Sequence, residues 1–212
     1  LLAPLFAGVV GLDPDAAMLA EARRRADSER VVNAEWAHLR AEDLPASLGM
    51  FDVVTFAQSF HWMDQKRVAS TVRRMLNPGG TWVHVHATTH RGIGEEAAPH
   101  EAIDQLVAAY LGPVRRAGRG LLHGATPTGE EDVMRTAGFC GPRRLHVPGL
   151  LVERDADDIV ASVFSRSSSA PHLFGARVDE FERELRDLLR SAAAGGRFRE
   201  LTREIELVLW TP

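Results

Sequence analysis

The chain has 212 residues, 45% of them hydrophobic, with a formal net charge of −4 and a single cysteine. That length is enough for one domain with a real core and no covalent staples, and the lone Cys140 excludes an internal disulfide framework and a cysteine-based metal site, so a reducing, cytoplasmic setting is the default expectation. A pI of about 6.2 argues against a nucleic-acid partner held by counterion release, and the apolar runs, each broken early by Pro, Gly or charge, argue against a membrane span.

Leu1 to Phe6 reads as the end of an apolar helix. It begins without cap residues or an initiating methionine, so a segment upstream of Leu1 is expected. Val9-Val10-Gly11-Leu12-Asp13 reads as a short buried strand ending on a carboxylate, and Pro14 opens a helix with Met18, Leu19, Ala22 and Ala26 on one face. Arg23 to Arg25 suit the solvated last turn of that helix, where cations complement the macrodipole. Val31 to Trp36 is the next strand candidate. It leads into the polar loop Arg40-Ala41-Glu42-Asp43-Leu44-Pro45, which Pro45 keeps from continuing as helix.

Phe51 to Ala57 is a nearly continuous apolar run, the pattern of a strand buried on both faces of a parallel sheet. It turns polar at once, in Gln58-Ser59 and His61-Trp62, which puts hydrogen-bonding groups at the carboxyl end, where open α/β sheets bind their ligands. Asp64 caps a helix carrying Val68, Val72, Met75 and Leu76, Asn77-Pro78-Gly79-Gly80 stops it, and Thr81 to Ala87 is another strand. This alternation predicts a doubly wound α/β domain with a mostly parallel sheet.

Between residues 88 and 127 the pattern loosens around one amphipathic helix (Ile103, Leu106, Val107, Tyr110), which predicts a lid within a single domain spanning 1–212. Thr128 with Glu131 forms a capping box, and Gly138 ends that helix. Leu145 to Val152 reads as one strand, Asp155 opens a helix with Ile159, Val160 and Val163, and Ser165 to Ser169 is a polar loop. Val178, Phe181, Leu185, Leu188 and Leu189 line a final helix. After Gly195-Gly196, the last strand covers Ile205 to Trp210, with Ile205, Leu207 and Leu209 alternating against Glu206 and Val208.

Several polar groups thus fall at carboxyl ends of strands: Asp13, then Glu42-Asp43, then Gln58 to His61, then His84, His86 and His90. Carboxylates accept hydrogen bonds and cannot donate at neutral pH, so acids after successive strands suit a ligand rich in hydroxyl and amino donors, such as adenosine. Asp13 would serve the ribose of a nicotinamide dinucleotide equally well. His84 and His86 share one strand face, but no carboxylate follows at a fitting spacing, and no metal is expected.

Together, Val9-Val10-Gly11-Leu12-Asp13-Pro14, Ala41-Glu42-Asp43-Leu44-Pro45, Phe51-Asp52-Val53-Val54 through His61-Trp62, and Leu76-Asn77-Pro78-Gly79-Gly80 resemble the class I S-adenosylmethionine-dependent methyltransferases. The nearest branch is the small-molecule one that includes ubiquinone-biosynthesis and trans-aconitate type enzymes. The resemblance implies a Rossmann-like sheet with an antiparallel strand near the C-terminus, and S-adenosylmethionine as cofactor. It further implies that Asp13 binds the ribose hydroxyls, that Pro14 and Met18 flank the adenine, and that Asp43 meets its amino group, with Ala41, Glu42 and Leu44 around the ring. Ala57 and Gln58 would face the methionine part of the cofactor, and His61 and Trp62 the boundary with the substrate.

His61, which titrates near working pH, is the candidate base for a hydroxyl nucleophile, or else a hydrogen-bond donor to the cofactor. The acceptor is expected to be a neutral, partly apolar small molecule enclosed by Trp62, the histidines, the 88–127 segment and the Ser165 to Phe174 loop, with Arg115, Arg116 and Arg119 in a solvated basic loop. The family's first strand and its glycine-rich loop have no counterpart in these residues, and an upstream segment is expected to supply them. Two other readings stand beside this one: a nicotinamide-dependent oxidoreductase, and an inactive member of the fold that only binds.

Overall fold

The computed structural model describes residues 2–44, 48–88, 91–112, 116–117, 120–121, 129–166, 168–193 and 195–212. Strand β1 (Val9–Asp13), helix α1 (Ala16–Ser28) and strand β2 (Ala34–His38) form a first unit, the strands parallel with Gly11 opposite Trp36. Strand β3 (Phe51–Ala57), helix α2 (Gln65–Met75) and strand β4 (Leu76–His86) repeat the pattern. The side chains of Asp15 and Asp64 start the two helices by accepting from the N–H groups of Ala17 at 2.8 Å and Arg67 at 3.2 Å.

The chain continues through α3 (His100–Leu111), the two-residue strands β5 (Arg116–Ala117) and β6 (Gly120–Leu121), α4 (Glu130–Thr136), β7 (Cys140–Val147), β8 (Leu151–Asp155) and α5 (Ala156–Phe164). It closes with α6 (Pro171–Phe174), α7 (Val178–Ala192), β9 (Arg197–Leu201) and β10 (Ile205–Thr211). The main sheet has the order β3-β4-β10-β7, and β10 runs antiparallel to both of its neighbours, as expected of a C-terminal strand. The sheet is therefore mixed. β1 and β2 stand as a separate pair, and among the described residues no strand joins the free edge of β1 or of β3.

One core lies between the main sheet and helices α2 and α4. Phe56 stacks on Trp82, with ring centres 4.3 Å apart, and Phe60 meets the same indole edge-on. Val68, Val72, Met134, Phe139, Val208 and Trp210 fill the rest. Each such side chain, fully buried, contributes roughly 1.5–3 kcal/mol from transfer out of water. The opposite face of this sheet, with Val53, Val83, Val85, Leu207 and Leu209, is only half-covered. A second core joins α3, α5, α6 and α7 to β9 through Ile103, Val107, Ile159, Phe174, Phe181, Leu185 and Phe198.

Several expectations change. Residues 3–5 form a single 3-10 turn, and β2 begins at Ala34, three residues later than its apolar run. The segment from Leu145 to Val152 splits into the ends of two strands around Pro148-Gly149. β9 was not foreseen, and in β10 the buried set is Val208 and Trp210, not the odd-numbered residues. Thr128 and its capping box lie outside the described residues, as do His90, Arg115, Arg119 and the side chain of Arg116.

Candidate functional site at the strand ends

Asp13 closes β1. One of its carboxylate oxygens accepts from the Asp15 N–H at 2.8 Å, an Asx-type turn that aims the chain into α1 and leaves the second oxygen available. The end of β1 is tied to β2, because Leu39 N–H donates to the Asp13 carbonyl at 3.3 Å and the His38 ring lies 3.0 Å from the Pro14 carbonyl. Met18 was expected on the packed face of α1. It is 58% exposed instead, and Leu19 is the residue that faces inward.

After β2 the chain makes a 3-10 turn over Ala41–Asp43, with Ala41 buried beneath it. Glu42 is drawn inward, and its Oε1 accepts from the Asp64 N–H at 3.1 Å with Arg40 at 3.2 Å. Burial alone pushes this carboxyl up, but its own N–H, that of Asp64 and the Arg40 guanidinium outweigh it, and the net shift is downward. Glu42 thereby pins the turn to the start of α2. Asp43 stays exposed, 3.8 Å from Arg67, an ion pair loose enough for a ligand to displace. Leu44 is half-buried behind it.

At the end of β3, Ala57 and Gln58 are both exposed. Gln58 has φ +50°, a left-handed conformation that costs a non-glycine residue of order 1 kcal/mol or more and that tends to cluster at functional sites. His61 follows on a 3-10 turn, Phe60–Trp62, packed against the exposed Trp62 with ring centres 4.5 Å apart. Partial burial, and the nearby His86, lower its pKa, so His61 is neutral at pH 7 and able to accept a proton.

β4 delivers two more imidazoles. The His84 and His86 rings are stacked, 5.9 Å apart, and Glu130, the first residue of α4, places Oε2 3.7 Å from His84 Nδ1. Burial, and then His86, bring the His84 pKa down to about 4, so this contact is no ion pair at neutral pH. Burial also raises the Glu130 carboxyl, against the pull of His86. The reason for expecting no metal was the lack of a carboxylate at a fitting spacing, and Glu130 supplies one in space. No local pattern marks it, because it comes from a helix that the fold lays over the end of β4. A surface cleft of about 510 Å³, lined in part by Glu95, Glu96, Glu153, Arg197 and Arg199, borders none of these residues.

The arrangement suits adenosine binding. Asp13, half-buried, and Asp43, exposed, lie on neighbouring crossovers, with exposed Pro14 and Met18 beside the first. Residues 1–80 match the methyltransferase domain family. A provisionally assigned type II methyltransferase from Anaeromyxobacter dehalogenans has the same fold, with 22% identity and a TM-score of 0.50 over 98% of this chain and 80% of its own. So does the YcgJ protein of Bacillus subtilis, at 15% identity and a TM-score of 0.52 over 99% of this chain and 85% of its own. An S-adenosylmethionine-dependent methyltransferase from Clostridium acetobutylicum matches at 22% identity and a TM-score of 0.38, over 42% of this chain and only 37% of its own. No curated protein sequence matches the chain. The matched stretch, under half of the chain, takes in the ends of β1 and β3 and the turn that carries Asp43.

Proposed function

We propose that the protein transfers a methyl group to a small-molecule acceptor, in the manner of the ubiquinone-biosynthesis and trans-aconitate type enzymes that its motifs resemble. The observation that carries this is the pair of carboxylates, Asp13 after β1 and Asp43 after β2, with the turn of the second pinned to α2 by Glu42. Asp13 accepts both ribose hydroxyls, and Asp43 accepts from the adenine amino group. Pro14, Met18, Ala41 and Leu44 line the ring, and Ala57 and Gln58 meet the amino-acid end. Bound there, S-adenosylmethionine supplies an electrophilic sulfonium methyl group. The chain's own contribution is to hold the acceptor in line with it, an orientation effect worth several kcal/mol. His61, kept neutral by its surroundings, takes the acceptor's proton.

The acceptor is neutral and partly apolar, enclosed in part by Trp62; part of the 88–127 segment expected to act as a lid lies outside the described residues. A strand from outside these residues fills the gap between β1 and β3, and its loop completes the cofactor site. Two features support that: both edges lack a partner among the described residues, and the adjoining sheet face is half-covered.

Calorimetry with S-adenosylhomocysteine on the full-length protein tests the reading. One site per chain is expected, with Asp13→Asn, which keeps the acceptor for Asp15 N–H, weakening it at least about ten-fold, as loss of a charge-assisted hydrogen bond should. No binding, or binding indifferent to Asp13→Asn, would overturn it.

A further inference from the structure

His84, His86 and Glu130 each offer a ligand atom, and these atoms all lie within 4.8 Å of one another. We propose that they form a binding site for a first-row divalent cation, of which Zn²⁺ is the representative. Two imidazoles and a carboxylate, with no thiolate, are the donor set that such ions favour over Mg²⁺ or Ca²⁺.

Three features of the surroundings point to a ligand and not to ordinary packing. His84 is 3% exposed, and its Nδ1 faces Glu130 Oε2 at 3.7 Å, too long for a hydrogen bond, while its Nε2 has no partner among the described residues, so this buried imidazole is left with unmet bonding capacity. Glu130 has its Oε1 turned to the Gln65 side-chain amide at 3.5 Å, while Oε2 points to His84. That division of labour, one oxygen steadied by a neighbour and the other presented, is how carboxylate ligands are oriented. The stacked His84 and His86 rings come from alternate residues of β4, so the strand itself fixes their spacing.

Bonds of about 2.0–2.2 Å to a tetrahedral ion need donors roughly 3.4 Å apart. Closing from the present separations takes about 1 Å of side-chain movement, which His86 and Glu130, both only partly buried, can make while His84 stays in place. Three protein ligands leave a fourth position, on the side of His86 and Glu130, for water or for an oxygen of a small molecule.

The test uses the full-length, chelator-treated, untagged protein titrated with Zn²⁺ by calorimetry and with Co²⁺ by visible absorption. One saturable site per chain is expected, with a tetrahedral Co²⁺ spectrum, and His86→Ala and Glu130→Gln should each weaken binding at least about ten-fold. These two residues are chosen because neither is in the core; far-UV circular dichroism checks that both variants fold. Absence of a saturable site overturns the proposal. So does unchanged affinity in both folded variants, which would put the ion on other histidines such as His38 or His146. Binding of S-adenosylhomocysteine, measured separately, keeps this outcome distinct from that of the methyl-transfer reading.

Discussion

The Gln58 side-chain amide donates to the Ala87 carbonyl at 3.1 Å, bridging the ends of β3 and β4 while the Gln58 backbone is left-handed. Glycine at 58 would relieve the strained φ but lose the bridge, whereas alanine would lose the bridge and keep the strain. Gln58→Gly is therefore expected to stay within about 1 kcal/mol of the parent, and Gln58→Ala to fall below it by about 1 kcal/mol or more. Urea melts of the two variants check the order, and an alanine variant more stable than the glycine one refutes the account.

Glu200 is the deepest carboxylate of the second core. It accepts from the Ala98 N–H at 2.9 Å and meets the His100 ring at 2.7 Å. His100 nonetheless has a lowered pKa, because its burial, with help from Arg91 and Arg154, outweighs the attraction of Glu200. Neutral His100 thus donates to Glu200 in the native state. A histidine with a depressed folded pKa contributes stability that is complete above its unfolded value, near 6.5, and is lost as pH falls toward the folded value. Stability should decline below pH 6.5 with up to one extra proton of slope, about 1.4 kcal/mol per pH unit, and His100→Asn should flatten that decline. Denaturant melts between pH 7.5 and 5 read it directly.

Gly11 has no room for a side chain: a Cβ there would lie 2.5 Å from the Trp36 ring on the neighbouring strand. Gly11→Ala must displace the indole, at a cost of roughly 1–3 kcal/mol. Adding Trp36→Leu should recover part of that loss, since the two positions share one contact. Thermal melts of the single and double variants provide the cycle, and strictly additive losses would contradict it.

The sites of order in this chain differ in how openly the residues announce them. β1, β3 and the cap at Asp64 were legible because short apolar runs next to Asp, Pro and Gly allow few conformations. β9 was hidden, since Arg197, Phe198, Arg199 and Glu200 read as surface, and only the fold shows that Glu200 turns inward onto Ala98 and His100. The face of β10 was read backwards: Trp210 and Val208 face the indole-rich core, while the leucines look toward the half-covered side. At the candidate site, Asp13 and Asp43 follow from strand ends alone. Glu130 does not, because proximity between α4 and the end of β4 is a tertiary fact that no spacing encodes.

The edges of β1 and β3, which no other described strand joins, also bear on how the chain behaves in solution. An exposed strand edge is a template for any other extended polypeptide, including a second copy of the same chain, and a half-covered apolar face beside it adds to the attraction. A concentrated preparation is therefore expected to pair edge to edge, which light scattering across a concentration series reads directly, and a constant monomer mass throughout would contradict it.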